Sequence, residues 1–222
     1  MIRAMKRGWS AKLLLRRCAL ICFSGGVLAL SAYAYLSTDD TIYRVLRSRQ
    51  FDSQVAMASA GRGAENLRPT ASAGSAIGRI EIPRIGISVI VLEGDDQRTL
   101  RRAAGHIPGT ALPGEEGNVA IAAHRNTFFR PLRNIRKNDV VLLSSVESTS
   151  LYRVESTEVV EPSHTEVLDN TDKPMLTLIT CYPFFYVGAA PNRFIVRARR
   201  ISTHVRASSA AGSTSISRPL PR

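Results

Sequence analysis

Between residues 77 and 201 apolar side chains recur at every second position, run after run. Ile80 and Ile82 alternate before Pro83, and Ile85, Ile87, Val89 and Val91 form the next run. Val119 to His124 reads as a short buried strand, and Val140–Leu143, Tyr152–Val160, Met175–Cys181 and Phe194–Ala198 complete the set. A strand points successive side chains to opposite faces, so this period gives one face to a core and one to the outside. Short helices are expected at 96–103, 128–135 and 164–169. Many short strands separated by Gly and Pro turns predict a mainly β domain, a closed or nearly closed barrel of about 125 residues.

The N-terminal end follows a different rule. Residues 1–17 hold six basic residues and no acid, and Cys18–Leu36 is uncharged over 19 residues. As a helix that stretch reaches about 28 Å, close to the hydrocarbon thickness of a bilayer. Asp39 and Asp40 follow it. Basic before and acidic after predicts a cytoplasmic segment 1–17, a transmembrane signal-anchor 18–36, and an exported remainder at the cell membrane. Ala32-Tyr33-Ala34 matches a signal-peptidase site, so cleavage after Ala34 is the alternative. The apolar stretch is longer than a usual signal core, which favours the uncleaved anchor. Residues 37–76 read as a juxtamembrane segment and flexible linker, weakly helical at 39–56 and rich in Ala, Gly and Ser at 57–76. Residues 202–222 read as a basic tail with too little apolar surface to fold.

The net charge of +12 invites a nucleic-acid partner, but its distribution argues otherwise. The two ends, 1–17 and 197–222, hold 12 of the 30 basic residues and none of the 18 acidic ones. The body between them is therefore balanced, whereas a nucleic-acid-binding domain carries its basic surplus on the folded body.

Three cysteines are too few for a disulfide scaffold. Cys18 and Cys22 lie in the apolar segment, which leaves Cys181 as the single thiol of the exported domain. It ends a predicted strand just before Tyr182-Pro183, where a side chain is rigidly held yet reachable. A buried inert thiol is the competing reading. A nucleophilic thiol needs a proton acceptor. Of the four histidines, His204 falls in the tail, His164 in a polar loop, and His106 in a turn-rich stretch suited to a structural hydrogen bond. His124 ends a strand of small and branched residues, so it can meet Cys181 at one rim of a barrel, although a structural role fits it equally. Acyl transfer also needs a group to stabilise an oxyanion. Arg193 opens the last strand, twelve residues after Cys181, and an antiparallel return would bring it alongside.

Together these segments resemble a known family. Thr177-Leu-Ile-Thr-Cys181 resembles the TLxTC signature of sortases, the exported cysteine transpeptidases. Ala122-Ala-His124-Arg-Asn-Thr-Phe-Phe129 is similar to the sortase histidine segment, and Asn192-Arg193-Phe-Ile-Val196 to its arginine strand. Tyr182-Pro-Phe and Gly105-His-Ile-Pro-Gly-Thr110 are most similar to class D-type sortases. The likeness covers 77–201. It implies an eight-stranded sortase-type β-barrel with His124, Cys181 and Arg193 as catalytic residues. Asn126, Thr180 and Tyr182, beside them in the motifs, are the candidates for substrate contact or support. It also implies that the thiolate cleaves an LPxTG-like sorting signal of an exported protein after Thr. A thioacyl-enzyme forms, and an amine, from a cell-wall precursor or a pilin lysine, releases the product.

The sequence departs from the usual Gly-His-Arg-Asp of that family, with Ala123 and Asn126 at its first and last positions. Asn126 keeps an amide for hydrogen bonding but removes a charge. No cofactor is expected, and no acid cluster matches a calcium site. Two alternatives stay open, a sortase-like barrel that binds peptide without cleaving it and a different exported thiol enzyme.

Overall fold

The computed structural model describes residues 2–59 and 72–205. The chain divides into two compact units, Met1–Tyr43 and Arg44–Arg222. A helix, α1 (Ile2–Ser59), supplies the first unit. Within it Leu13–Tyr33, 21 residues of mean hydropathy 1.8 with no residue buried, is long and apolar enough to cross a membrane. This window starts ahead of the predicted anchor because it takes in Leu13, Leu14 and Leu15 before the Arg16–Arg17 pair.

The second unit opens with residues 44–59 of α1. The segment predicted as juxtamembrane chain and linker is thus helical as far as Ser59, and its 60–71 stretch lies outside the described residues. Eight strands follow: β1 (Ala76–Ile82), β2 (Ile87–Glu93), β3 (Ala104–His106), β4 (Asn118–Ala122), β5 (Val140–Ser144), β6 (Ser148–Val160), β7 (Met175–Tyr182) and β8 (Asn192–Val205). They close into a barrel in the order β1-β2-β3-β4-β7-β8-β6-β5. Two neighbouring pairs, β2–β3 and β4–β7, are parallel and the rest antiparallel. One short helix, α2 (Gln97–Arg102), carries the chain back from β2 to β3, and 3-10 turns lie at Pro83–Ile85, Arg130–Asn134 and Thr165–Leu168. α2 begins where Asp96 accepts hydrogen bonds from the backbone N–H groups of Arg98 and Thr99, the usual satisfaction of first-turn donors.

The alternation read from the sequence sorts the two faces. Ile80, Ile82, Val119, Ile121, Leu176, Leu178, Val196 and Ala198 point inward into one buried cluster, with Phe129, Leu132 and Tyr152 filling it. β3 is only three residues long and wedged between β2 and β4, and a side chain at Gly105 would run into the Gly94 backbone carbonyl. β8 continues to Val205, past the start of the predicted tail at 202, and its last residues pair with the start of β6. Ser150 and Thr203 hydroxyls hydrogen-bond at 3.1 Å there, so His204 sits on a strand opposite Thr149. Polar pairing, rather than apolar burial, carries this end of the ladder, which is why a hydropathy reading stopped short of it.

One further packing contact was not expected. Phe51, on α1, is 2% exposed. Arg79 of β1 lies over its ring at 5.8 Å, hydrogen-bonds Ser48 at 2.7 Å and pairs with Asp52 at 2.9 Å. Positions 48, 51 and 52 share one helix face, so this stretch of α1 is part of the barrel unit.

Candidate active site

β4, β7 and β8 lie side by side, and their register determines which residues share a face. β4 pairs β7 in parallel, with Ala120 opposite Thr177 and Ala122 opposite Ile179. β7 pairs β8 in antiparallel fashion, with Thr177 opposite Arg197, Ile179 opposite Ile195, and Cys181 opposite Arg193. Inward positions are taken by Ile121 and Ala123, by Leu176 and Leu178, and by Val196 and Ala198. The alternate positions therefore form rows across the outer face. Ala122, Ile179 and Ile195 make an apolar row; the next rung toward the rim pairs Cys181 with Arg193, and His124 follows two residues beyond Ala122, where β4 ends. Neighbouring strands are about 4.8 Å apart, so the Cys181 and Arg193 side chains occupy adjacent lanes on one surface. His124, Cys181 and Arg193 are all partly exposed.

Several bonds hold these residues in place. Beyond the last residue of β4, Ala123 N donates to Ile179 O at 3.1 Å, and the Thr180 hydroxyl donates to Ala123 O at 2.7 Å. The chain leading to His124 is thus clamped to β7 at the two residues that precede Cys181. At the far end of the strand pair, the buried Thr177 hydroxyl donates to Asn118 Oδ1 at 2.7 Å, and Asn118 Nδ2 donates to the carbonyls of Val167 and Asp169. This ties the β6–β7 connection over the outer face. Arg197 Nη1 also donates to Val167 O at 3.3 Å. The Arg193 guanidinium donates to Ala190 O and Asn192 O at 3.4 and 3.1 Å, so it is held beside the β7–β8 connection.

Among the other predicted site residues, Thr180 is buried and turned toward Ala123, away from the outer row. Tyr182 stacks on Phe194 with centroids 6.3 Å apart, and Phe184 meets both rings edge-on. These rings cover the end of the barrel beneath the row. The Tyr182–Pro183 peptide is cis. Asn126 is exposed in the turn that follows His124. His106 is fully enclosed, 1% exposed, with Nδ1 2.8 Å from Glu93 and Nε2 3.0 Å from Ala111 O. A carbonyl can only accept, so Nε2 carries hydrogen and the ring is a structural strut between β2 and the 107–111 turn. His164 is exposed and 3.0 Å from Glu166.

Arg125 received no role in the sequence, yet its Nη2 donates to the carbonyls of Tyr186 and Gly188 at 2.9 and 3.0 Å. It links the residue after His124 to the loop after Cys181. Nothing in the motif distinguishes it from a solvated charge; the partner is a backbone carbonyl, which a sequence does not mark. At the same rim, Arg84 forks onto both carboxylate oxygens of the buried Asp139, and Arg136 N donates to it at 2.7 Å. The Arg84 hydrogen bonds hold the Asp139 carboxyl below the usual carboxylate range, against the opposing effect of burial. Among the described residues no group of three or more His, Cys, Asp or Glu is placed to hold a metal ion. A cavity of about 500 Å³ lined by Ile77, Leu112, Val146 and Thr203 opens at the opposite end of the barrel, away from the row.

A family model described as the Sortase domain matches residues 80–201. Sortase D of Bacillus subtilis (strain 168) is 34% identical over 130 residues, covering 58% of this chain and 66% of that protein. Sortase A of Listeria monocytogenes is 29% identical over 129 residues, 56% of each. The chain spans about half to two thirds of the length of these curated relatives. Among solved structures, a Clostridium perfringens sortase D5 transpeptidase superposes with a TM-score of 0.63 at 26% identity, over 72% of this chain and 99% of that one. Sortase E from Streptomyces avermitilis superposes at 0.53 with 30% identity, over 60% and 93%.

Proposed function

The chain belongs to the sortase family, and from that premise we propose that it is a membrane-anchored cysteine transpeptidase whose reacting groups are His124, Cys181 and Arg193. The observation that supports this reading is that Cys181 lies opposite Arg193 across the β7–β8 ladder, while His124 follows the end of β4, the other neighbour of β7.

In the reaction proposed, the Cys181 thiolate attacks the Thr carbonyl carbon of an LPxTG-like sorting signal. The carbonyl electrons move onto oxygen, where the Arg193 guanidinium donates to the oxyanion. As the tetrahedral intermediate collapses, the C–N bond to Gly breaks and His124 delivers a proton to the leaving amine. The product is a thioester between Thr and Cys181. An incoming amine, from a cell-wall precursor or a pilin lysine, attacks that thioester. His124 takes its proton, the C–S bond breaks and the thiolate returns. Thr180 supports His124 through Ala123, Tyr182 and Asn126 flank the peptide, and no cofactor takes part. The apolar helix Leu13–Tyr33 anchors the chain with its N-terminus in the cytoplasm and the barrel outside.

Incubation with an LPxTG peptide and mass analysis of the intact protein tests this. The wild-type chain is expected to gain the mass of the acyl fragment at Cys181, and added amine to discharge it. Cys181→Ala is expected to gain nothing. An intact peptide bound without an adduct would favour a binding module instead.

A further inference from the structure

The rim that carries the candidate site also carries a surface that the reaction does not use. Beyond β7 the chain places Phe185, Tyr186 and Val187 at the tip of the β7–β8 connection, 79%, 47% and 98% exposed. Solvent exposure of three consecutive large apolar side chains is unfavourable for a soluble surface unless something covers them. The tip is braced rather than loose. Arg125 holds the carbonyls of Tyr186 and Gly188 and lies 5.8 Å from the centre of the Tyr186 ring, and Arg133 lies 5.3 Å from that of Phe185.

Behind the tip the charge is one-sided. Residues 124–138 carry Arg125, Arg130, Arg133, Arg136 and Lys137 and no acid, although residues 18–196 as a whole are balanced. Arg130, Arg133, Arg136 and Lys137 are exposed, and among the described residues none of them pairs with a carboxylate. The acid at this edge, Asp139, is buried and bound to Arg84. Other acids, Glu161 and Glu166, belong to the β6–β7 connection, which starts beside β8 and crosses the outer face of the barrel.

We propose that this side of the rim is a docking surface for an anionic lipid bilayer. Phe185, Tyr186 and Val187 enter the headgroup layer while Arg130, Arg133, Arg136 and Lys137 lie against lipid phosphates. Apolar and aromatic side chains flanked by unpaired cations are the combination that interfacial binding needs, because burial supplies depth and charge supplies selectivity for anionic lipid. A peptide partner fits less well, since Phe185 and Val187 are exposed at a loop tip and the nearby cavity is lined by Arg84, Arg133 and Arg136 without them. The docked barrel would turn His124, Cys181 and Arg193 toward the plane in which membrane-tethered molecules lie.

The test uses the full chain in lipid nanodiscs. Trp9, the one native tryptophan, is removed by Trp9→Phe, and a reporter is introduced by Val187→Trp. Discs are made of phosphatidylcholine alone or with phosphatidylglycerol, with normal or brominated acyl chains. The expected result is blue-shifted emission and bromine quenching in anionic discs, several-fold stronger than in zwitterionic ones. Adding Arg130→Gln, Arg136→Gln and Lys137→Gln should remove most of the difference, since each cation contributes about fivefold in binding. The anchor holds the barrel near the disc in every case, so the difference between lipids is the informative quantity. Solvent-like emission in both lipids, or quenching that ignores lipid charge and the three substitutions, overturns the proposal. So does a shift produced by a soluble sorting-signal peptide alone, which would make the tip a peptide site.

Discussion

At the scale of single residues, the outer row sets demands that differ between neighbours. Arg193 presents a planar fork of donors, and Lys keeps the charge but loses that geometry. Arg193→Lys is expected to lower kcat about 10²-fold or more, in line with loss of an oxyanion donor, while circular dichroism stays unchanged. Near-normal turnover would reduce Arg193 to a surface charge. Asp139 makes a separate prediction, about stability. Its carboxyl is held below the usual value by Arg84, so the folded form binds its proton less readily than the unfolded chain. The resulting stabilisation is complete well above the unfolded value of about 4 and is lost as pH falls through the depressed one. Denaturant unfolding of wild type and Asp139→Asn should therefore show a stability gap at pH 7 that narrows below about pH 4. A gap of constant size down to pH 3 would contradict the ion pair as its cause. The pairing of Cys181 with Arg193 was legible in the sequence because each sits at a strand end beside alternating apolar residues. Arg125 and Asp139 were not, because their roles depend on backbone carbonyls and on an arginine 55 residues away.

Among the elements, the strands were readable where apolar residues alternate, and less so where hydroxyls carry the pairing, as at the end of β8. The helical stretch 44–59 was hardest to place. Its apolar period is weak, and its contribution to the barrel rests on Phe51 and on contacts with Arg79, a residue that alternation assigns to solvent. The sequence reads 37–76 as juxtamembrane segment and linker, whereas Phe51 and the Arg79 contacts favour a folded fragment that includes residues 44–59. Residues 44–205 should form the more stable fragment, and residues 72–205 should unfold at lower temperature. Phe51→Ala in the longer fragment is expected to cost about 3 kcal/mol, at the low end for a buried aromatic. Equal melting temperatures for the two fragments would show that α1 contributes nothing to the barrel unit.

At the scale of the whole molecule, sequence charge and hydropathy gave the organisation, an apolar helix followed by a β-barrel, because both signals persist over many residues and do not depend on which strand neighbours which. Barrel order was legible only at one pair: the antiparallel return of the Arg193 strand beside Cys181 was expected, but nothing in the sequence states that β6 takes the other edge of β8. For the orientation we propose, protease added to intact spheroplasts should remove the barrel and spare the cytoplasmic end, and complete protection would reverse it. The strand order also bears on biogenesis. In N-to-C emergence β8 comes last of the eight, and until it arrives β7 has β4 on one side and a bare edge on the other. Long-range pairing is slow to form and exposes unpaired edges while it waits. The strand that closes this gap is the one that brings Arg193 beside Cys181, so a chain that ends before β8 holds Cys181 on an unpaired edge without the guanidinium. In the reading we propose, such a chain has its nucleophile but not its oxyanion donor, and the last strand to emerge completes the site.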